Sequence, residues 1–122
     1  MALKQQCMSM NNENSTTPLR PIIKSKISLI LGQRGIVFKD IILFGSRARG
    51  QFNRFSDYDI LVIIDETLNM RDKINTIEAI RTELAELLIS SDIILKSQQE
   101  AEFYKDKIGS VVREAFKEGV PL

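Results

Sequence analysis

The chain contains no histidine and no tryptophan, and it has a single cysteine, Cys7. The absence of histidine excludes histidine general bases, Ser-His-Asp triads and histidine-liganded zinc sites. A single cysteine also excludes a disulfide within the chain. Any acid–base or metal chemistry in this protein must therefore depend on carboxylates.

Long apolar runs and a strong charge bias are also missing. No stretch approaches the ~20 apolar residues of a membrane span, and the first residues lack the apolar segment of a signal peptide. The formal net charge of +1 argues against a protein that holds nucleic acid mainly by neutralising phosphates. We therefore expect a cytoplasmic protein without direct nucleic-acid binding, although a nucleotide or a short RNA end can still be its substrate.

Length and composition predict one domain preceded by a tail. Residues 1–17 are polar and show no periodicity, which predicts a disordered or flexible segment. The chain of 122 residues is 43% hydrophobic and 27% charged, the balance of a globular protein with one ordinary core. The sequence therefore predicts a domain boundary near residue 18 and a single domain over 18–122.

Hydrophobic periodicity predicts the element order α-β-β-α-β-α. The last helix is expected to turn several apolar residues inward: Phe103, Ile108, Val111, Val112 and Ala115. Few strands among several helices imply an α/β (α+β) fold, with a small mixed sheet flanked by helices. The predicted elements are a helix from Pro18 to Gly32, strands over 36–44 and 58–64, a helix over 70–89 capped by Asn69, a strand over 90–95 and a helix over 98–118.

A glycine–serine turn follows the first predicted strand. The apolar run 41–44 leads directly into Gly45-Ser46-Arg47-Ala48-Arg49-Gly50. Glycine permits close backbone approach and a positive φ, and consecutive amides in such a turn can bind an anion. The Ser46 hydroxyl can bond a phosphate oxygen and Arg47 is a nearby cation, whereas Arg49 is expected to have a structural role. The turn therefore predicts nucleotide-binding residues: Gly45, Ser46 and Arg47.

Two carboxylates one residue apart, Asp57 and Asp59, begin the second predicted strand. Alternate strand residues point to one face about 6.5–7 Å apart, and hard oxygen ligands suit Mg²⁺ or Mn²⁺. Asp92 opens the third predicted strand and can face the same side, whereas Asp65 lies about 20 Å of strand away from Asp59. Asp57, Asp59 and Asp92 are therefore the predicted metal ligands and catalytic residues.

Each of these pieces alone has an ordinary interpretation, since an Asp-x-Asp at a strand start is usually solvated and Gly-Ser turns are common. Their joint arrangement is far more specific. It resembles the DNA polymerase β-like nucleotidyltransferase superfamily, and most of all its minimal branch, the MNT-type proteins. The resemblance covers residues from about 20 to 122, and 113–120 also look like the end of such proteins. The residues that carry it are Gly45-Ser46-Arg47-Ala48-Arg49-Gly50 and Ser56-Asp57-Tyr58-Asp59.

The resemblance implies a polymerase β-like nucleotidyltransferase fold with roles for individual residues. Gly45 and Ser46 would bind the triphosphate of ATP, and Asp57 and Asp59 would bind Mg²⁺ or Mn²⁺. Asp92 would be the third carboxylate and would take the proton from the attacking hydroxyl. The reaction would be in-line attack at the α-phosphorus with expulsion of pyrophosphate.

Many proteins similar to this one are antitoxins encoded beside a HEPN-domain ribonuclease toxin. They neutralise that toxin by adding AMP to one of its tyrosines. The resemblance therefore implies a HEPN toxin as acceptor, as partner and as the second component of a hetero-oligomer. Two alternatives stay open: a non-catalytic antitoxin that blocks the toxin by binding, and a nucleotidyltransferase for a small molecule such as an aminoglycoside, or for an RNA end.

Overall fold

The computed structural model describes residues 19–122, so the predicted tail over 1–17 lies outside the described residues. Across residues 19–122, none of the helices has the length and apolar character needed to cross a membrane. The elements are α1 (Leu19–Gln33), β1 (Phe38–Phe44), α2 (Gly45–Arg49), β2 (Tyr58–Ile64), α3 (Met70–Glu86), β3 (Ser91–Ser97), α4 (Gln98–Tyr104), α5 (Val111–Glu118) and β4 (Val120–Pro121).

The strands form one mixed sheet in the order β3-β2-β1-β4. β1 runs antiparallel to β2 and to β4, and β2 runs parallel to β3. The parallel pair is connected through α3, as a parallel pair requires a crossover. The small mixed sheet with flanking helices confirms the predicted fold class.

Helices cover both faces of the central strand β2. Ile60 and Val62 belong to the core cluster that includes residues of α1 and α3. Leu61 and Ile63 point to the other face and belong to a second cluster with residues of α4 and α5. Because both faces of β2 are buried, its sequence is continuously apolar rather than alternating.

Helix α3 begins as predicted and ends earlier than predicted. Asn69 caps it, because its side-chain oxygen accepts a hydrogen bond from the Asp72 N–H at 2.8 Å. The helix ends at Glu86 instead of residue 89, since Leu88 has a φ of 62°. The Leu88 N–H donates to the Ala85 carbonyl and the next N–H to the Leu84 carbonyl, which closes a Schellman motif. The prediction failed here because no glycine marks the end.

Replacing Leu88 with glycine should stabilise the protein. The left-handed conformation costs a non-glycine residue about 1–2 kcal/mol, and the Leu88 side chain is 95% exposed, so little packing is lost. After the entropic cost of glycine in the unfolded chain, we expect a gain of about 0.5–1 kcal/mol in the free energy of unfolding, measured by urea denaturation. Leu87→Gly, at a negative φ, is the control and should destabilise; a Leu88→Gly variant less stable than wild type would contradict the expectation.

The last predicted helix is divided in two. Ser97 begins α4 with a capping box, and Ser110 begins α5 by accepting a hydrogen bond from the backbone of the third residue that follows it. Gly109, with a φ of 86°, lies in the segment between the helices. Strand β3 also continues to Ser97, two residues beyond the predicted end. The Ser110 cap explains the division of the helix, because a cap defines where a helix starts, and β3 runs directly into the Ser97 cap of α4.

The division of this helix changes which of its apolar residues are buried. Val112 and Ala115 are buried, as predicted. The prediction was wrong for Phe103, Ile108 and Val111, which are all exposed, Ile108 at 90%. The prediction continued one helical periodicity through residues 105–110, where the helix is in fact interrupted. It therefore placed these three side chains on the buried face.

The C-terminal end of β1 differs from the prediction in two further ways. The glycine–serine turn that follows β1 forms the short helix α2. After α5 the chain returns to β1, where Leu43 pairs with Val120 and Ile42 pairs with Pro121. Pro121, predicted only as a helix stop, therefore lies in an edge strand, where the missing N–H of proline is tolerated.

Candidate active site

Asp59 and Asp92 lie side by side at the N-terminal ends of two parallel strands. Each is the second residue of its strand, and the register of β2 and β3 pairs the two residues directly. Asp59 has the same parity as Leu61 and Ile63, so both aspartates lie on the sheet face that α4 and α5 cover further along. Asp59 is half-buried and Asp92 is exposed.

Asp57 lies immediately before β2, and a hydroxyl group holds its carboxylate. Ser90 Oγ donates a hydrogen bond to Asp57 Oδ1. The Ser90 carbonyl in turn accepts a hydrogen bond from the Tyr58 N–H at 3.0 Å. These contacts tie the residue before β3 to the residues at the start of β2. Asp57 is thereby brought to the same strand ends as Asp59 and Asp92.

The charges of this cluster act on Asp59. Burial raises the pKa of its carboxyl group above the usual range, and the negative charges of Asp92 and Asp57 raise that pKa further. The Arg49 guanidinium has the opposite effect. A further cation near these carboxylates would offset their mutual repulsion, so the electrostatics of the cluster suit a cation site.

The donor set suits a hard divalent ion that is only partly enclosed by protein. Carboxylate oxygens are the ligands that Mg²⁺ and Mn²⁺ prefer. Within residues 19–122, however, no group of three or more Asp, Glu, Cys or His side chains is close enough together to hold a metal ion. Mg²⁺ commonly takes one or two carboxylates and completes its coordination with water and substrate phosphates. The carboxylates fit such an ion arriving with a nucleotide.

Gly45 lies directly against the Asp59 carboxylate. Its φ is 73°, and a Cβ added to it would lie 2.1 Å from Asp59 Oδ2. Only glycine can make this approach, as expected from the sequence. The Gly45 N–H donates to Glu118 Oε2 at 2.8 Å, so this amide already has a carboxylate acceptor. Ser46 follows in α2, half-buried, and its carbonyl accepts hydrogen bonds from the two residues after the helix.

Arg47 is directed towards the loop between α2 and β2. Its Nε and Nη2 atoms donate to the Ser56 carbonyl at 3.2 and 3.0 Å. Its guanidinium lies 4.5 Å from the ring centroid of Phe52 and 4.3 Å from that of Tyr58. Arg47 also lines a cavity of about 380 Å³, together with Ile89. Tyr58 and Ile89 belong to the core on the α1–α3 side, so this cavity lies across the sheet from the carboxylates.

Arg49 pairs with Glu118. Arg49 Nη1 lies 3.1 Å from each carboxylate oxygen of Glu118, and Arg49 Nε donates to Gln51 Oε1 at 3.2 Å. The pKa of Glu118 is lowered mainly by the hydrogen bond from the Gly45 N–H and also by Arg49. These contacts connect the end of α5 with both ends of α2.

This combination of a close glycine–serine turn and acidic strand ends lies within residues 24–121, which match the family described as nucleotidyltransferase domain. The chain belongs to this family. The match includes nearly all of the sheet and its helices, and the family supports nucleotidyl transfer as the activity of the domain. No curated protein sequence matches the chain significantly.

Solved structures are similar to this chain in fold. A toxin–antitoxin crystallised with AMP-PNP aligns with a TM-score of 0.51 and 22% identity, covering 80% of this chain and 70% of that chain. Two mutants of the MntA-HpeT toxin–antitoxin also align, each with a TM-score of 0.48. The first is 20% identical, and the alignment covers 80% of this chain and 69% of that chain. The second is 21% identical, and the alignment covers 81% of this chain and 70% of that chain. At these identities the likeness to the AMP-PNP structure shows the fold alone.

Sequence reasoning missed two residues that contact this candidate site, Ser90 beside Asp57 and Glu118 beside Gly45. Ser90 was assigned only to the start of a strand, and Glu118 only to the end of a helix. Ser90 had a weak signal, because it lies two residues before Asp92. Glu118 lies within the closing segment 113–120 that resembles the end of minimal nucleotidyltransferases, but nothing in that segment indicates a contact with Gly45, 73 residues earlier.

Proposed function

We propose that this protein is a cytoplasmic antitoxin that transfers AMP from ATP to a tyrosine hydroxyl of a HEPN ribonuclease toxin. The observation that carries the proposal is the direct pairing of Asp59 with Asp92 at the strand ends, with Gly45 against the Asp59 carboxylate. This arrangement supplies the carboxylates for nucleotidyl transfer beside the turn expected to receive the triphosphate. A toxin–antitoxin crystallised with an ATP analogue is among the similar folds, which supports the choice of partner and of nucleotide.

In the proposed reaction the turn and the carboxylates have separate tasks. Ser46 donates its hydroxyl hydrogen bond to a phosphate oxygen and so orients the triphosphate, while the backbone of Gly45 leaves room for it. Asp57, Asp59 and Asp92 are the residues that would hold Mg²⁺ or Mn²⁺, which supplies positive charge to the phosphates when bound. Asp92, exposed beside Asp59, accepts the proton of the attacking tyrosine hydroxyl. The oxygen–phosphorus bond to AMP forms as the bond to pyrophosphate breaks.

A second candidate is an antitoxin that blocks its toxin by binding alone. The hydrogen bond from Ser90 to Asp57 favours it, because this bond engages one oxygen of a proposed metal ligand. A third possibility is that the domain transfers the nucleotide to a small molecule such as an aminoglycoside, or to an RNA end. The molecule that receives the label separates this possibility from the first two.

Transfer of label from [α-³²P]ATP with Mg²⁺ to the toxin encoded beside this protein tests the proposal. Wild type should label the toxin, and replacing the acceptor tyrosine of the toxin with phenylalanine should remove the label. Asp57→Asn should abolish labelling, because it removes a carboxylate from the site. Asp40→Asn, at an exposed aspartate of β1, is the matched control and should label normally.

Each other outcome points to a different function. No label from any nucleoside triphosphate, together with a tight complex that neutralises the toxin, would mean a binding antitoxin. Label in an aminoglycoside or in RNA instead of protein would keep the chemistry and replace the acceptor. Equal labelling by Asp57→Asn and wild type would contradict the assignment of the carboxylates.

A further inference from the structure

The carboxylate of Glu118 connects the C-terminal helix α5 to the glycine–serine turn. It accepts the Gly45 N–H at 2.8 Å and receives Arg49 Nη1 on both of its oxygens at 3.1 Å. We propose that Glu118 is a positioning residue of the transfer site, which acts by holding the Gly45 N–H; this role rests on the proposed nucleotidyl transfer. Glu118 itself would contact neither nucleotide nor acceptor.

The position of Gly45 matters because its backbone bounds the Asp59 carboxylate. A Cβ added to Gly45 would lie 2.1 Å from Asp59 Oδ2, so the Gly45 backbone packs closely against this carboxylate. A small shift of the Gly45 Cα therefore changes the room available to the Asp59 side chain. Gly45 also has a φ of 73°, a conformation that glycine leaves readily. A hydrogen bond to its N–H is therefore an effective restraint. Through this restraint, Glu118 fixes one wall of the Asp59 site.

Glu118 can act as a restraint because it is itself fixed on both sides. Arg49 Nη1 lies 3.1 Å from each carboxylate oxygen, so a single charged donor restrains the carboxylate. The next residue, Gly119, packs so closely that an added Cβ would lie 2.3 Å from the Ala115 carbonyl and 2.4 Å from Ile42 Cγ2. Val120 then pairs with β1. The end of α5 is thus held against β1 immediately after Glu118.

The charge of Glu118 is consistent with this role. The hydrogen bond from the Gly45 N–H, and then Arg49, lower the pKa of its carboxyl group, so Glu118 is ionised at neutral pH. An ionised acceptor bonds an N–H more strongly than a neutral one does. Since Gly45 N–H already has this acceptor, the contribution of Gly45 to nucleotide binding lies in close approach and not in its amide.

Substitutions of Glu118 test the proposal through kcat and KM for MgATP in the label-transfer assay. Glu118→Ala should lower kcat about 30-fold or more with a smaller change in KM, because misplacement of a reacting group costs up to about 10²-fold. Glu118→Gln keeps an oxygen that can accept the Gly45 N–H and should restore kcat to within about five-fold of wild type. Glu114→Ala, at an exposed glutamate one turn earlier on α5, is the matched control and should equal wild type.

Two results would overturn the positioning role. One is a Glu118→Ala variant with wild-type kcat. The other is a folded Glu118→Gln variant as inactive as Glu118→Ala, because the charge would then matter instead of the hydrogen bond. If Glu118→Ala does not fold, Glu118→Gln alone decides, together with amide hydrogen exchange of Gly45, which should stay within about two-fold of wild type in that variant.

Failure of the proposed activity would be recognised separately. If wild type transfers no nucleotide to any acceptor, amide hydrogen exchange and the affinity for Mg²⁺ with AMP-PNP still report on Gly45 and its neighbours. Glu118→Ala should then accelerate exchange of the Gly45 amide at least about ten-fold relative to Glu114→Ala, whereas equal exchange would overturn the inference.

Discussion

Asp59→Asn should reduce nucleotide transfer about 10³-fold or more and should leave the protein folded. The substitution keeps the shape of the side chain and removes one of the charges that would hold a divalent ion on the phosphates. Loss of such a contribution to transition-state charge is worth several kcal/mol, which corresponds to a loss of this size. The measurement is the rate of label transfer from [α-³²P]ATP at saturating Mg²⁺.

The same variant should be more stable than wild type without metal. The pKa of Asp59 is raised in the folded protein, first by burial and then by Asp92 and Asp57. The folded state then binds more protons than the unfolded state in the pH window between the two pKa values, so stability falls as the pH rises through that window. Asparagine removes this loss, so Asp59→Asn should be the more stable protein at neutral pH by urea denaturation, and the difference should vanish where the pH is low enough to protonate Asp59 in both the folded and the unfolded state.

Asp65→Asn is the matched control for both measurements. Asp65 follows the other end of β2, is exposed and lies 3.7 Å from Lys39 Nζ in a surface ion pair. Its replacement should leave transfer unchanged and alter stability by at most about 0.5 kcal/mol. Equal losses of transfer in Asp59→Asn and Asp65→Asn would show that the strand end bearing Asp59 has no special role.

Gly45→Ala should have the second largest effect and should damage both stability and transfer. The left-handed φ of 73° costs alanine about 1–2 kcal/mol, and the added Cβ must displace the Asp59 carboxylate that would lie 2.1 Å away. We expect the free energy of unfolding to fall by about 2–4 kcal/mol. Transfer should fall about 10²-fold, because the carboxylate leaves its place. Urea denaturation and label transfer measure the two effects.

Gly50→Ala separates the cost of a left-handed backbone from the cost of the steric clash with Asp59. Gly50 has a φ of 76°, nearly that of Gly45, but no atom lies within 4 Å of its constructed Cβ. It should therefore incur only the conformational cost, about 1–2 kcal/mol, and should retain transfer. The difference between the two variants isolates the contact with Asp59. If Gly50→Ala were as inactive as Gly45→Ala, backbone strain alone would explain the loss.

The parts of the site that were predictable from sequence are those that follow local rules. An aspartate near the start of each of two parallel strands is naturally brought beside the other, as Asp59 and Asp92 are, and Asp57 lies near them because it immediately precedes β2. A glycine at a strand end predicts the positive φ of Gly45. Each of these inferences uses neighbours within a few residues or one strand pairing, so a single sequence is sufficient for them.

The parts that could not be predicted depend on long-range packing or on a local rule broken by context. Glu118 reaches Gly45 from 73 residues away, and nothing in its own helix distinguishes it from Glu114. Leu88 occupies a left-handed position that normally requires glycine, so the end of α3 carries no sequence signal. Ser110 looked like an ordinary polar residue within a helix, although it caps a new one.

Asp92 also affects which register β3 adopts against β2 during folding. The residues that follow it, Ile93, Ile94 and Leu95, are all apolar, so their packing alone discriminates poorly against a pairing displaced by one position. Such a slip would rotate Asp92 to the opposite face, towards the apolar core beside α1 and α3. Moving an ionised carboxylate into that core costs several kcal/mol. The Asp92 carboxylate therefore also raises the free energy of a displaced pairing between β2 and β3.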